Sequence, residues 1–290
     1  MSQSFLGRLG GNLRDVWKYS GMRFKIGLFI TFFFLILGFG VSNIPHTNPF
    51  FHFSYLPLQP PSATNFLGTT SLGQDTFWML VNAVRNSLTL GLIAATIGTV
   101  IGIFMGLLAG FSGGVVDRVI STITDTFIVI PTLPILILIT ALIGGGASVI
   151  MLALVLSIFG WAWPSRQVRS MALSLKERDF IYTAKFSGES TPQIIITEIL
   201  PYAMTWSLVS FMNATLGAIA AESGLAILGL SPANLVTLGN MIQWARDRNA
   251  VLMGHWYWIG SPIVALVFLF IGLFLLISGY NDYLSRRRGQ

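Results

Sequence analysis

Long stretches without an ionised side chain decide what this chain can become. The 40 residues from Thr126 to Ser165 contain no Asp, Glu, Lys or Arg, and further charge-free windows cover 26–44, 87–111, 199–221 and 258–280. A helix rises 1.5 Å per residue, so about 20 apolar residues cross the hydrocarbon of a bilayer. A soluble domain carries roughly 25% charged residues. Here the share is 10% of 290 residues, too little polar surface for water. The chain reads as an all-helical, multi-pass membrane protein.

Six spans are expected, over 26–44, 87–111, 126–143, 147–165, 199–221 and 258–280. The first follows the basic arm Arg8, Arg14, Lys18, Arg23 and Lys25, lacks a small-residue cleavage site, and is too long for a signal-peptide core, so it reads as retained. The 40-residue run divides at Gly144, Gly145 and Gly146 into two helices, the earlier bent at Pro131 and Pro134. The fifth span is expected to end near Glu222, because a carboxylate at mid-bilayer costs a few kcal/mol. The sixth opens with the interfacial aromatics Trp256, Tyr257 and Trp258. An even number of spans puts both termini on one side. With the ends inside, inner segments hold 14 of the 17 basic residues, leaving Arg85, Arg246 and Arg248 outside. That satisfies the positive-inside rule and predicts a cell membrane protein with a cytoplasmic arm (1–25) and tail (281–290). Anionic lipid suffices as partner for these basic arms, and nucleic acid is not required.

Between the spans the chain is punctuated. Segment 45–86 begins with Pro45, Pro49, Pro57, Pro60 and Pro61, which disfavour a long helix; a short interfacial helix capped by Asp75 follows. Ala94, Gly98, Gly102, Gly106 and Gly110 recur every fourth residue, about 24 Å of one small-residue helix face. Close helix packing explains it better than contact with cargo. In the inner segment 166–198, Ser174-Leu175-Lys176-Glu177 has capping-box spacing and predicts a helix start. That helix should stop at Gly188, and Thr191-Pro192 should open another leading to Leu200-Pro201. A helix–turn–helix of this kind suits docking of a cytoplasmic partner; a solvated loop on the headgroups is the alternative. From Ile199 to Leu230 the chain stays apolar for 32 residues, more than one crossing. A span followed by a re-entrant segment near Ala221 to Leu230 is expected. Glu222 lines a polar cavity or pairs with Arg246 or Arg248, and with Asn213 it is a candidate for the translocation path.

Several chemistries lack their residues. No Gly-x-x-x-x-Gly-Lys-Ser/Thr run exists to cradle a nucleotide, and no Gly-x-Ser-x-Gly elbow to present a nucleophile. There is no cysteine, and His46, His52 and His255 have no metal-ligand spacing. Asp117, Asp125, Glu177 and Asp179 are placed like helix-end charges, Asp125 being the best candidate for a proton relay.

The run Glu177-Arg178-Asp179-Phe180-Ile181-Tyr182-Thr183-Ala184, then Gly188, then Ile199-Leu200-Pro201, resembles the Glu-Ala-Ala…Gly…Ile-x-Leu-Pro loop of ABC-importer permeases. Leu67-Gly68-Thr69-Thr70-Ser71-Leu72-Gly73-Gln74-Asp75 is similar to an outer motif of the second permease subunit in the dipeptide/oligopeptide-type branch. Gly110 to Asp117, Ala221-Glu222-Ser223-Gly224-Leu225 and Gly239-Asn240-Met241 add matches. Tyr182 and Thr183 stand where the loop has Glu and its first Ala, Gln74 where Arg is usual, and Thr70 where Asp is usual. The resemblance implies the six-span type I permease fold with a cytoplasmic coupling helix. It implies as partners a homologous permease, two cytoplasmic ATPases that hold the ATP and Mg, and an extracytoplasmic binding protein. Asp179, Phe180, Tyr182, Thr183, Ala184, Gly188 and Pro201 would form the coupling loop, and the chain itself would be non-catalytic and bind no cofactor. Small peptides are the expected cargo, with short oligosaccharides or nickel complexes as alternatives. An ATPase-independent transporter or channel, and a membrane-embedded enzyme, are the rival classes.

Overall fold

A computed structural model describes residues 21–44, 48–143, 148–232 and 234–288. Among them the chain is helical apart from connecting loops. The helices are α1 (Met22–Leu35, continued by a π turn and a 3-10 turn to Asn43), α2 (Thr76–Ser112), α3 (Gly114–Val129), α4 (Thr132–Ile143), α5 (Val149–Gly160), α6 (Ala162–Lys176), α7 (Asp179–Phe186), α8 (Thr191–Ile194), α9 (Leu200–Ile227), α10 (Leu238–Asp247) and α11 (Trp256–Arg288). Among the described residues four helices are long and apolar enough to cross a membrane, or up to six if each of two bent pairs counts as one span. The Gly144–Gly146 break, Pro45, His46 and the basic residues Arg8, Arg14 and Lys18 lie outside the described residues.

Several boundaries differ from the sequence reading. The helix capped by Asp75 does not stop at an interface: it continues as the 37-residue α2, because nothing between Thr76 and Ser112 breaks it. The Asp75 carboxylate accepts from the amides of Phe77 and Trp78, satisfying two donors that the first turn leaves over. The bend at Pro131 is a break of 82° between α3 and α4, and the helix before it already starts at Gly114. Ser174 is no N-cap; it lies in the last turns of α6, which runs on from α5 across a 41° bend. The chain turns at Glu177 and Arg178, and α7 starts without a side-chain cap. Ser190, not Thr191, occupies the cap position of α8, which leads through a π turn at Ile195–Ile199 into α9. That wide turn precedes Pro201, which offers no amide to the ladder. The expected stop at Glu222 does not occur: α9 runs to Ile227. In place of a re-entrant segment, a loop leads to the amphipathic helix α10, capped by Thr237 Oγ1 on the Asn240 amide. The last helix extends both ways beyond 258–280.

Helix α2 is the central post. Its glycine face lies on α6 and the end of α5: a Cβ on Gly98 would meet Gly160 at 2.9 Å, one on Gly102 would meet Pro164 at 2.5 Å, and one on Gly110 would meet Ala172 at 2.7 Å. Since lipid chains are as apolar as leucine, such backbone-close packing is what drives helix association in a bilayer. On another side Gly91 receives Ile219 of α9. The peripheral pair α1 and α11 uses the same device, Gly279 facing the Phe24 backbone at 2.5 Å and Gly272 facing Ile30 at 2.7 Å. Phe34, Met79, Leu88, Ile219, Met241 and Leu269 close the core where α1, α2, α9, α10 and α11 meet.

Two glycines separate these effects. Gly106→Ala sets a methyl group 2.6 Å from the Ser165 carbonyl oxygen and 2.7 Å from Val168 Cβ; it should destabilise by about 1–3 kcal/mol. Gly224→Ala meets nothing within 4 Å and should be neutral or stabilise by up to about 1 kcal/mol. Thermal unfolding of the detergent-solubilised chain checks both.

Candidate functional site

The structure builds two adjoining features from the residues singled out above: a short helix standing off the bundle and a cleft within it. Helix α7 is rooted by Ile181 and Ala184, which pack into a cluster with Phe111, Val168, Ala172, Ile199 and Ala203. Its other side is bare: Phe186 is 93% exposed and Tyr182 partly so. Phe180 stacks on Tyr202 of α9 at 6.1 Å. Thr183 Oγ1 donates to the Asp179 carbonyl, and Tyr182 donates its hydroxyl to Glu177 at 3.2 Å. The Glu177 charge holds the Tyr182 phenol above its ordinary pKa, so it remains a neutral donor at physiological pH. Gly188 follows with φ of 82°. Its amide bonds to the Lys185 carbonyl and the Glu189 amide to that of Ala184, a paired closure that needs a left-handed residue at this point. Pro201 is buried at the head of α9.

The base of this helix is clamped. Arg169 of α6 makes a two-pronged ion pair with Asp117 of α3, Nε to Oδ1 at 2.5 Å and Nη2 to Oδ2 at 2.7 Å. Lys176 donates to the Phe111 carbonyl at 3.1 Å, placing a cation on the carbonyl end of α2. Asp125 pairs with Arg166 at 3.4 Å, both side chains more than half exposed. Of the four carboxylates read from sequence as helix-end charges, Asp117 and Asp125 thus join α3 to α6, and Asp125 has a surface arginine rather than a buried proton path.

The cleft, about 660 Å³, opens between α2, α4, α5, α6 and α9, with Asn281 of α11 also lining it. Helix α9 contributes Trp206, Ser210, Asn213, Gly217 and Ala221; α6 contributes Trp163 and Gln167; α2 contributes Ala94. No charged residue is among its lining. Asn213 therefore belongs to the cleft and Glu222 does not. Glu222 is 1% exposed and accepts from Thr237 Oγ1 at 2.7 Å and Ser231 Oγ at 3.1 Å. Its proposed arginine partners are engaged elsewhere, Arg246 on Asp247 and the Ile227 carbonyl, Arg248 on Ser71. Of the small-residue face, Ala94 reaches the cleft, Gly98 meets Gly160 at the end of α5, and Gly102 to Gly110 serve the α2–α6 contact. Sequence reasoning missed Phe186, Trp163, Gln167, Trp206 and Ser210. The signal for the last two was present: Trp206, Ser210, Asn213 and Gly217 recur at helical spacing through an otherwise apolar span.

Comparison with known proteins fits this architecture. Residues 98–290 match the family model described as binding-protein-dependent transport system inner membrane component. The chain belongs to this family. It is 32% identical over 239 residues to the oligopeptide transport system permease protein OppC of Mycobacterium tuberculosis (strain ATCC 25618 / H37Rv), covering 80% of this chain and 81% of that one. It is 32% identical over 228 residues to the dipeptide transport system permease protein DppC of Bacillus subtilis (strain 168), covering 78% and 70%. A chain in a structure described as inward facing conformations of the MetNI methionine ABC transporter superposes with a TM-score of 0.53 at 20% identity, over 72% of this chain and 96% of that one. That likeness carries the fold: an all-helical ABC-importer permease. Among the described residues no group of three or more His, Cys, Asp or Glu could hold a metal ion.

Thr237 tests the packing behind α9. Its hydroxyl donates to Glu222 and accepts from the Asn240 amide. Thr237→Val removes both bonds in a buried site and should lower stability by about 1–3 kcal/mol, whereas Thr237→Ser keeps them and should fall within a few tenths of the parent. Chemical unfolding in detergent distinguishes the two.

Proposed function

We propose that this chain is the non-catalytic permease subunit of an ATP-driven importer, pairing with a homologous permease and seating α7 in a cytoplasmic ATPase. The observation that carries this reading is Phe186, fully exposed on a helix whose opposite face is locked in the core. A large aromatic in water on a rigid mount is the arrangement of an interface anchor. Two ATPases, holding ATP and Mg, would supply the closing motion. The helix from Thr191 to Ile227 would carry it to the cleft, where Trp206, Ser210 and Asn213 face the path. The basic bias of the loops supports cytoplasmic termini and an outward cap, to which a binding protein would deliver cargo.

Small peptides are the cargo favoured by the relatives, whose names are oligopeptide and dipeptide permeases. Short oligosaccharides are a second reading, favoured by a cleft lined with Trp163, Trp206 and uncharged amide side chains. Calorimetry of the cognate binding protein against both ligand classes decides between them: binding of sugars and no peptide would overturn the peptide reading.

The docking reading has its own test. Because Phe186 is 93% exposed, Phe186→Ala should leave thermal unfolding of the isolated permease unchanged. It should weaken ATPase association about tenfold, or about 1.4 kcal/mol. Equal affinity in parent and variant, measured by titrating ATPase onto immobilised permease, would count against α7 as the docking element.

A further inference from the structure

From Ile26 to Gln74 the sequence contains no Asp, Glu, Lys or Arg. The absence of charge is expected inside α1. It is unexpected in the loop-rich cap that follows, where folded loops in water would ordinarily carry charges. The cap instead presents apolar side chains: Phe51 is 63%, Phe53 70%, Leu56 72% and Phe66 67% exposed. We propose that the cap is a membrane-interface wedge, seated in the headgroup and upper acyl region of the leaflet on its own side.

The cap is built rather than loose. Its backbone is tied to the loop before α2 by the amides of Phe53, Tyr55 and Leu58, which donate to the carbonyls of Leu72, Gly73 and Thr70 at 2.6 to 3.0 Å. Gln74 Nε2 donates to the Pro49 carbonyl at 2.8 Å. Phe53 and Leu58 have φ of 57° and 58°, where glycine or asparagine is favoured and a bulky side chain is strained. Large apolar residues are thus held at costly positions, Phe53 pointing outward. A second bare patch is tethered to the cap. Tyr257 of α11 donates its hydroxyl to the Gln59 carbonyl at 3.0 Å, and its ring lies against Gly68. Just before it, Leu252 is 86% and Trp256 70% exposed.

Continuity identifies the occupant. Cap and patch stand at the same end of the peripheral pair α1–α11, and exposed Phe32, Phe33, Phe39 and Ile44 run along α1 towards the cap. An apolar helix face of a membrane protein is covered by lipid, so the cap extends a lipid-covered surface into the interface. Aromatic and aliphatic side chains without charge suit that zone, and insertion of about 5–10 Å covers them. A docking protein would leave the patch bare in water whenever it dissociated.

The chain has no cysteine, so Phe53→Cys and Leu56→Cys each give a unique site for a nitroxide label, with Ser187→Cys, exposed at the end of α7 and remote from the cap, as the reference. In the full chain reconstituted in phosphatidylcholine–phosphatidylglycerol liposomes, collisions with oxygen at 53 and 56 should exceed those with a water-soluble nickel chelate by roughly threefold or more, reversing at 187. Nickel collisions at 53 and 56 as frequent as at 187 would place the cap in water and overturn the proposal. Protection from nickel appearing only after a binding protein is added would equally overturn it, assigning the surface to a protein partner.

Discussion

Backbone-to-backbone contact between α2 and α6 is the constraint on which the rest of this molecule depends. Helix α2 is not amphipathic in the way that lets a soluble helix find its place, because lipid solvates a leucine face as well as another helix does; α6 is, and buries Ala162, Pro164, Val168 and Ala172 on one face. What distinguishes the α2–α6 contact is closeness: from Gly102 to Gly110 a single added carbon would collide with the facing helix at each glycine, as it would at Gly98 with the end of α5. The contact fixes where α6 ends, and with it where the chain leaves the bundle. Lys176 on the Phe111 carbonyl and Arg169 on Asp117 then pin the ends of α2, α3 and α6 to one another. Helix α7 therefore starts from a rigid base rather than from a swinging loop.

The same closeness makes the cleft. Where the small-residue face reaches Ala94, Leu152, Ala153 and Leu156 of α5 pack with it, and the cleft opens beside them towards α6 and α9. One sequence feature thus packs tightly over four glycines and lines a cavity at its fifth member. The cleft is uncharged on this chain, while the buried carboxylate of Glu222 lies apart from it, held by two hydroxyls. Separating the two matters, since an uncompensated carboxylate facing a cleft would discriminate strongly between ligands of different charge.

Much of this was legible in the sequence, for reasons that differ by feature. The Asp75 cap was readable because a side chain that satisfies helix-end amides leaves a local mark. Gly188 was readable because the turn after α7 demands a left-handed backbone. The small-residue face was readable from its period alone. What failed were the inferences that let local signals override length. Ser174 has the spacing of a capping box, but α6 was already under way, and a helix in progress needs no new start. Glu222 suggested an end to the fifth span because an exposed carboxylate in lipid is costly; the side chain is instead buried within the protein, where Ser231 and Thr237, 9 and 15 residues further on, donate to its Oε1. Such partners follow from the fold and leave no trace in local pattern. Phe186 escaped notice for the opposite reason: exposure of one aromatic is a tertiary fact.

Length itself closes the argument about coupling. The helical run from Thr191 to Ile227 is 37 residues, about 55 Å at 1.5 Å per residue. It begins beside α7, passes the cleft with Trp206, Ser210 and Asn213 on one side, and ends where Glu222 is tied to the α10 loop. On the proposed coupling, a displacement of α7 acts first on the π turn at Ile195–Ile199, where the helix is widened just before Pro201, which donates no amide to the ladder. Above that turn α9 is continuous and fastened at its far end, so motion at the base becomes tilt about the Glu222 anchorage rather than translation. A tilt about that point moves Trp206 more than Asn213, because Trp206 lies further along the helix from the pivot. The cleft would then change width at its cytoplasmic mouth before it changed at its outer end, the order an importer needs if the two are never to open together.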